Sequence, residues 1–244
     1  MEAIKALSLG KLTLGGKSVA LVAPNGSGKT SNCIAPAILY FLTCFPRGQV
    51  PVTSSSWMQV EKQLFPALRR YMDNPFFAGW TFNKTEIRTP EGGFAVGFST
   101  DNAGRAEGWH PKISPDVDPV FYVLDEAKTI PDSIFTAVSR CTLFHAFITS
   151  SPGADSGTFY DCFHKNSSLY YKIRVKYEDC PHIEINDPGK AERLKKEYGE
   201  QSSFYRSAIL GEFTDLDGQS VISRRSLMEL VNNPPPFLDT GETC

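Results

Sequence analysis

Long apolar segments are missing from this sequence. No uninterrupted apolar run is long enough to span a bilayer, and the N-terminal stretch MEAIKALSLGKLTLGG lacks a basic segment followed by an apolar one. Neither a signal peptide nor a membrane partner is therefore expected. The six cysteines lack the spacing of a disulfide framework, which is typical of a protein in a reducing cytosol.

An excess of charge is also missing. Lys and Arg number 25 against 27 Asp and Glu, which gives a formal net charge of −2. A protein that binds nucleic acid tightly on its own is usually more basic. Any contact with DNA is therefore expected to be local, transient or shared among the subunits of an assembly. The hydrophobic content of 41% is ordinary for a globular protein and predicts a sizeable core.

The stretch LVAPNGSGKT resembles a phosphate-binding loop (P-loop) whose first glycine is replaced. The usual pattern is G-x-x-x-x-G-K-[ST]. Here Ala23 stands at the first position, and Gly28, Lys29 and Thr30 stand at the last three. The apolar run KSVALVA before the loop predicts a strand, and TSNCIAPAILYFL after it predicts a helix that Pro36 should kink. Strand, loop and helix are the context that this motif requires.

The residue types in this loop suit a nucleotide. Backbone N–H groups and the positive end of a helix hold phosphates, which assigns the binding of the nucleotide to Asn25, Gly26, Ser27, Gly28, Lys29 and Thr30. Lys29 is expected to be a point charge for the β- and γ-phosphates, and Thr30 is expected to offer its hydroxyl to Mg²⁺. The alternative is a tight turn with a solvated lysine.

Short apolar segments alternate with helical or loop segments along the first part of the chain. They are SVALVA, QVPVTSS, FAVGFST, VFYVLDE and TLFHAFITSS. This alternation predicts an α/β fold with a mostly parallel sheet. The segment WTFNKTEIRTPEGG predicts an antiparallel insertion with a turn at Pro90–Gly93. After Gly153 the pattern predicts a short helix, a further strand and two more short helices.

Carboxylates and hydroxyls follow two of these predicted strands. Asp125 and Glu126 end the strand VFYVL, and the carboxyl ends of parallel strands face the ligand crevice. Asp125 is expected to act through the water shell of the metal, and Glu126 as general base for the attacking water. Ser150 and Ser151, at the end of the next strand, are expected to sense the γ-phosphate. The alternatives are two acids that cap the next helix and a Ser/Thr turn closed by Pro-Gly.

Together these motifs resemble the ATPase part of the large terminase subunits of tailed bacteriophages. The matching segments follow the family's order from about Lys17 to Phe213; they are APNGSGKT, GFSTDNAGRAEGWHP, VLDEAKTIPDSIF, SSPG, DCPHI and GEF. The resemblance implies an α/β fold of the RecA-like, additional-strand P-loop ATPase type. It implies an ATPase core in residues 1–153, a linker subdomain with closing elements of the ATPase domain in 154–232, and a linker toward an absent nuclease domain in 233–244.

The function implied by the resemblance is an ATP-hydrolysing, Mg²⁺-dependent motor that moves double-stranded DNA into a procapsid. The implied partners are double-stranded DNA, the portal protein and the small terminase subunit. The chain is expected to form a homo-oligomeric ring when assembled or to be a monomer alone, in the host cytoplasm and docked on the portal during packaging. No nuclease activity is expected. Two alternatives stay open: another RecA-like DNA-dependent ATPase of the helicase or repair type, and a nucleotide-binding assembly module with little turnover.

One departure from the family concerns arginine. Many terminases carry an arginine inside the P-loop, and this loop has none. Arg105, in NAGRAEG, resembles an arginine that some family members insert into a neighbour's site, where it would neutralise charge on the γ-phosphate. The alternative is a surface arginine paired with Glu107.

Two Cys-x-His pairs raise the question of a metal. Cys162 and His164 form the first pair, and Cys180 and His182 form the second. Four such ligands suit zinc, although this spacing is tighter than that of zinc fingers. The alternative is packing within the linker subdomain.

Overall fold

A computed structural model of the chain describes residues 18–99, 103–143, 145–214 and Val231. Eight strands in this part of the chain form one sheet. They are β1 Ser18–Val22, β2 Gln49–Thr53, β3 Thr81–Asn83, β4 Glu86–Arg88, β5 Phe94–Gly97, β6 Phe121–Leu124, β7 His145–Ser150 and β8 Tyr170–Arg174. Their order across the sheet is β3-β4-β5-β2-β6-β7-β1-β8.

The sheet is mostly parallel, as predicted. The strands from β5 to β8 across the sheet run parallel to one another. An antiparallel hairpin of β3 and β4 joins the sheet at β5, which confirms the predicted antiparallel insertion. The predicted turn at residues 90–93 connects β4 to β5. There the N–H of Thr89 donates to the carbonyl of Gly93 at 2.9 Å, and that of Gly92 to the carbonyl of Thr89 at 3.2 Å.

Strand β7 lies between β1 and β6 and is the additional strand of the predicted fold. Phe147 at its centre pairs with Val19 of β1 on one side and with Val123 of β6 on the other. The strand before the P-loop and the strand before Asp125 are therefore about 10 Å apart, which is two strand spacings. Both end at the same edge of the sheet.

Helices alternate with these strands and follow the last of them. They are α1 Lys29–Ile34 continuing as Ala35–Cys44; α2 Trp57–Gln59, Val60–Leu64 and Phe65–Met72; α3 Asp132–Ser139; α4 Thr158–Asp161; α5 Pro181–Asn186; α6 Lys190–Tyr198; and α7 Ser203–Tyr205 continuing as Arg206–Leu210. Short 3₁₀ turns occupy Pro75–Phe77, Ala103–Arg105, Ala127–Thr129, Ser167–Leu169 and Tyr177–Asp179. Within the described residues, none of the helices has the length and apolar character needed to cross a membrane.

The core consists of two layers, one on each face of the sheet. Phe121 and Val123 of β6 pack with residues of α1 and α2, whereas Tyr122 and Leu124 pack with residues of α3 and α4. All four are fully or almost fully buried. A parallel strand that is covered on both faces needs apolar residues at every position. This explains the continuous apolar run that marked β6 in the sequence.

Helix α1 begins with a wide, π-type turn that accommodates its proline. The N–H of Ala35 donates to the carbonyl of Thr30, five residues back. Pro36 follows and has no N–H to continue this series. The carbonyl of Ser31 accepts a hydrogen bond from Tyr71 Oη of α2 at 2.9 Å. Where the sequence predicted a kink at Pro36, the structure has a widened turn supported from outside the helix. Helix α2 has a similar wide turn ahead of its own proline.

The chain after Gly153 returns to the sheet. Strand β8 pairs in parallel with the whole length of β1, so it extends the sheet beyond the strand that precedes the P-loop. The predicted short helix, strand and two short helices correspond to α4, β8, α6 and α7. The division into a core and a linker subdomain stays a prediction, and the predicted linker at 233–244 lies outside the described residues.

Candidate nucleotide-binding site

The P-loop joins β1 to α1 through two left-handed glycines. Gly26 has φ 83° and Gly28 has φ 82°, a conformation that glycine adopts without the strain that other residues incur. Between them, the hydroxyl of Ser27 is buried and has no hydrogen-bond partner within the described residues. Asn25 lies exposed at the crest of the loop. A buried hydroxyl without a partner costs free energy, so this loop fits a polar, anionic ligand better than it fits a self-contained turn.

Lys29 points back into the loop instead of into solvent. Its side chain is only 6% exposed, and its Nζ lies 3.9 Å from Glu126 Oε1. Nζ also donates to the carbonyls of Ala23 at 3.4 Å and Pro24 at 3.3 Å. These hydrogen bonds are long and therefore weak. The alternative of a solvated lysine is wrong, and the ammonium is placed for a phosphate that would accept stronger hydrogen bonds.

Asp125 joins three elements at one buried carboxylate. Thr30 Oγ1 of α1 donates to Oδ2 at 3.0 Å, and Thr149 Oγ1 of β7 donates to Oδ1 at 2.8 Å. The N–H of Glu126 donates to Oδ1 at 2.9 Å. Burial raises the pKa of Asp125, and the charge of Glu126 raises it further, while these hydrogen bonds oppose the rise. A hydroxyl and a carboxylate in contact are oxygen donors of the kind that Mg²⁺ prefers, so Thr30 and Asp125 fit that ion.

Glu126 adopts a backbone conformation that is unusual for its residue type. Its φ of 50° and ψ of 42° make it the single non-glycine residue with positive φ among those described. This conformation costs about 1–2 kcal/mol in an L-residue. The turn directs the carboxylate toward Lys29 and toward the hydroxyl of Ser150, which lies 3.5 Å from Oε2. Helix α3 begins only at Asp132, so the alternative that the two acids cap that helix is wrong.

Ser150 and Ser151 are buried at the end of β7 and both contact Lys128. The backbone N–H of Lys128 donates to Ser150 Oγ at 3.2 Å. Its Nζ donates to Ser151 Oγ at 2.8 Å and to the carbonyl of Pro152 at 3.4 Å. Burial is the main cause that lowers the pKa of Lys128. The two serines therefore connect the end of β7 to the turn that follows Glu126, and their role as γ-phosphate sensors stays a prediction.

Arg105 follows a different strand of the sheet from the residues described above. It is exposed in the 3₁₀ turn after β5, and β5 is two positions from β6 and four positions from β1 in the sheet. Glu107, the alternative partner of Arg105, accepts a hydrogen bond from Arg140 at 2.5 Å. Arg105 lines an open cleft together with Trp57, Gly97, Phe98 and Ser99.

Helix α5 contacts the P-loop, and the sequence did not predict this contact. His182 Nε2 lies 3.0 Å from the carbonyl oxygen of Gly26. Because a carbonyl can only accept, Nε2 carries the proton. Ile183 is buried next to it, and its Cγ1 lies 4.0 Å from the position that a Cβ on Gly26 would occupy. The segment DCPHI thus packs against the P-loop, whereas the sequence indicated only packing within the linker subdomain.

The zinc alternative is wrong. Among the described residues, no cluster of three or more His, Cys, Asp or Glu side chains is arranged to hold a metal ion. His164 stacks on the ring of Tyr160, with 3.8 Å between ring centroids. Cys162 donates from Sγ to the carbonyl of Thr158 at 3.2 Å. The described cysteines are all free thiols.

The fold is similar to that of several solved structures. No protein-family model and no curated protein matches the chain. The large terminase of a thermophilic bacteriophage in complex with ADP is similar in structure, with a TM-score of 0.62 and 12% identity over 87% of this chain and 53% of that chain. The same terminase in complex with ATP-γ-S gives a TM-score of 0.61 and 14% identity over 87% and 52%. The large terminase ATPase domain of Thermus phage P74-26 gives 0.59 and 16% over 81% and 88%.

The fold is therefore that of the RecA-like α/β ATPases. Within this class, the structure is similar to the ATPase domains of phage large terminases, which confirms the fold expected from the motifs. The chain spans about half the length of the thermophilic-phage terminase chains and most of the P74-26 ATPase domain. At these identities the similarity is one of fold, and the function is argued from the site.

Proposed function

We propose that this chain is the ATP-hydrolysing motor domain of a viral DNA-packaging terminase. It would couple ATP hydrolysis to the translocation of double-stranded DNA into a procapsid. One observation carries the proposal: Thr30 and Thr149 both donate hydrogen bonds to the buried carboxylate of Asp125. The adjacent Glu126 lies 3.9 Å from Nζ of Lys29. Two of the terminase structures with a similar fold are complexes with ADP and ATP-γ-S, which supports a nucleotide as the ligand of this site.

The nucleotide would occupy the P-loop. The backbone N–H groups of residues 25–28 and the ammonium of Lys29 would hold its phosphates. Thr30 and Asp125 would hold Mg²⁺, which neutralises phosphate charge when it is bound. The orphaned hydroxyl of Ser27 and the weak hydrogen bonds of Lys29 support this assignment.

Asp125 and Glu126 would have different roles in the reaction because their surroundings differ. Asp125 is buried and accepts hydrogen bonds on both oxygens. Glu126 is 23% exposed, so water can reach its carboxylate, and Lys29 and Ser150 orient it. Glu126 would therefore take the proton of the attacking water as general base.

Ser150, Ser151 and Arg105 would connect hydrolysis to other parts of the chain and to other subunits. Ser150 and Ser151 would pass the presence or loss of the γ-phosphate to Lys128 and its turn. Arg105, which is exposed in the turn after β5, would complete the site of the next subunit in a ring. Double-stranded DNA, a portal protein and a small terminase subunit are the partners that this function entails.

Lys29→Ala tests the nucleotide site. The variant should lose ATP and ADP binding, because the phosphates lose their cation. It should keep its fold, because it loses only two long hydrogen bonds and an ion pair at 3.9 Å with the partly exposed Glu126. Calorimetry with ATP-γ-S and Mg²⁺ measures the affinity, and circular dichroism checks the fold. Lys62→Ala, at a lysine on α2 whose side chain is 67% exposed, is the control and should bind normally. Equal affinity in wild type and Lys29→Ala would contradict the assignment.

Translocation needs a separate test. The chain is mixed with procapsids that carry their portal, double-stranded DNA and ATP, and packaged DNA is measured by its protection from added nuclease. Protection that requires ATP and is lost in Lys29→Ala is the expected result. ATP binding without DNA-dependent turnover or protection would instead favour an assembly module.

A further inference from the structure

We propose that His182 is a positioning residue that fixes the peptide between Gly26 and Ser27 in the orientation that phosphate binding requires. By the same contact, nucleotide binding would tighten the docking of α5 on the P-loop. This inference rests on the proposed function, because it presumes a phosphate-bearing ligand in the loop.

The planarity of the peptide group links the Gly26 carbonyl to the N–H of Ser27. In a trans peptide the C=O and the N–H point in opposite directions. The carbonyl of Gly26 and the N–H of Ser27 belong to the same peptide, and His182 donates to that carbonyl from the exposed outer side of the loop. The N–H of Ser27 therefore points away from α5. It points back into the loop, where it lies 3.3 Å from the carbonyl of Pro24.

The peptide between Gly26 and Ser27 needs a hydrogen bond from outside the loop to keep its orientation. Gly26 has φ 83°, and a glycine lets its flanking peptides rotate at little cost. The hydrogen bond from Ser27 N–H is long at 3.3 Å, whereas the one from His182 is 3.0 Å. Without His182 the peptide can turn over. A turned peptide would present the Gly26 carbonyl to the ligand, and its oxygen would repel a phosphate where an N–H would attract one.

Helix α5 is itself anchored, so it can act as a support. Ile183 is buried against the loop and Cys180 is buried just before the helix. Glu184 accepts hydrogen bonds from Tyr177 Oη and from the N–H of Gly189, both at 2.7 Å. His182 is thus presented by a fixed backbone. Because coupling between two binding events is reciprocal, a ligand that favours this orientation of the loop must also favour the docked position of α5.

The test compares wild type with His182→Ala and His182→Gln. Alanine removes the donor, whereas the amide of glutamine can donate to the same carbonyl. Dissociation constants of ADP and ATP-γ-S with Mg²⁺ should rise about 3- to 10-fold in the alanine variant, the range that one hydrogen bond is worth. The glutamine variant should recover most of the affinity. The matched control is His164→Ala, since His164 is also exposed and lies 2.9 Å from a backbone carbonyl, that of Tyr160; its affinity should equal that of wild type.

Hydrogen exchange of the α5 amides, residues 182–186, provides a readout that does not depend on activity. ADP should slow this exchange in wild type and in His182→Gln, but not in His182→Ala. Wild-type affinity and exchange in His182→Ala would overturn the inference and leave the proposed function standing, provided that Lys29→Ala abolishes binding. Equal losses in the alanine and glutamine variants would also overturn it, because they would assign the effect to the ring and not to the donated hydrogen bond. Failure of the wild type to bind nucleotide would overturn both.

Discussion

At the scale of single residues, Asp125 and Glu126 are adjacent in the chain but differ in burial, in hydrogen bonding and in backbone conformation. Asp125 is buried, its carboxylate accepts three hydrogen bonds, and its backbone N–H donates to the carbonyl of Thr53 at the end of β2. Glu126 is partly exposed and is held in a left-handed conformation. Strain of this kind persists only where the surrounding structure enforces it, and it concentrates at functional sites. The two carboxylates should therefore respond differently to the loss of their charge.

Glu126→Gln should remove the base and keep the shape. We expect ATP and Mg²⁺ to bind with nearly unchanged affinity and turnover to fall by about 10²-fold or more, the scale of a lost general base. Asp125→Asn should instead weaken the dependence of ATP binding on Mg²⁺. Calorimetry with and without Mg²⁺, together with phosphate release, separates the two effects. Identical behaviour of both variants in both assays would show that the division of roles is wrong.

The raised pKa of Asp125 predicts a pH dependence of stability in the absence of nucleotide. The folded protein holds this proton more tightly than the unfolded chain does. The contribution of Asp125 to the free energy of unfolding is therefore most favourable below the unfolded pKa and is lost as the pH rises through the folded one. Asp125→Asn removes this dependence. Its Tm should exceed that of wild type at pH 7, and the difference should shrink toward pH 4; a constant difference in thermal melts would contradict the assignment.

At the scale of elements, the wide first turn of α1 determines where Thr30 and Lys29 lie. This turn ends at a proline, and Tyr71 of α2 donates to the carbonyl of Ser31 within it. Helix α2 therefore supports the start of α1 through a hydrogen bond that an uninterrupted α-helix would not need. The phosphate-binding loop is held from two sides, by α2 at its helical end and by α5 at its crest.

Tyr71→Phe tests the support from α2. Loss of the hydrogen bond should lower the free energy of unfolding by about 0.5–1.5 kcal/mol, the usual net contribution of one such bond. Urea denaturation measures the change, and hydrogen exchange at residues 31–35 should become faster. Tyr198→Phe, at an exposed tyrosine of α6, is the control and should do neither. Faster exchange in both variants would mean that Tyr71 has no specific role.

The sequence predicted the strands, the antiparallel insertion and the helices α4, α6 and α7, because each carries a local pattern of apolar residues, but it did not predict α5. It also predicted that Lys29, Asp125 and Glu126 share one edge of the sheet. It did not predict Thr149. Alternation along a strand places Thr149 on the opposite face from Ser150, but which side chain reaches Asp125 depends on the position of β7 beside β6.

The contacts of His182 and Tyr71 were beyond prediction for a similar reason. Each joins segments that are far apart in the chain, and each donates to a backbone carbonyl, which leaves no residue-type signal in the sequence. The wide turn of α1 did have a signal, the proline at position 36. From that signal we predicted a kink, whereas the structure has a widened turn, because both accommodate a missing N–H.

At the scale of the whole molecule, the proposed nucleotide site and Arg105 follow different strands of the sheet. The P-loop and its acids follow β1 and β6, whereas Arg105 follows β5, which is separated from β6 by β2. Such a separation suits an assembly in which the edge of one subunit meets the edge of the next. A trans-acting arginine would make hydrolysis depend on neighbours.

Arg105→Ala should cost on the order of 10³-fold in turnover of the assembled protein, the scale of an arginine finger, with little effect on ATP affinity of the monomer. Wild-type ATPase activity should rise faster than linearly with protein concentration, or should require the portal. Arg140→Ala is the matched control, since Arg140 is also exposed and pairs with Glu107.

Mixed assemblies decide the question. Arg105→Ala and Glu126→Gln subunits should each be inactive alone but should recover activity together, because one supplies the base and the other the arginine. Subunits that demonstrably co-assemble and still show no recovery would return Arg105 to an ordinary surface role.

The position of β1 in the sheet has a consequence for biosynthesis. Its two neighbours, β7 and β8, are separated from it by more than 120 residues of chain. Domains fold as units while the ribosome elongates the chain, and pairings between distant segments form late. The loop after β1 is among the first described segments to leave the ribosome. The strand before it, β1, cannot pair with both of its neighbours until residue 174 has been synthesised. Nascent chains should therefore be unable to capture nucleotide until translation is well advanced.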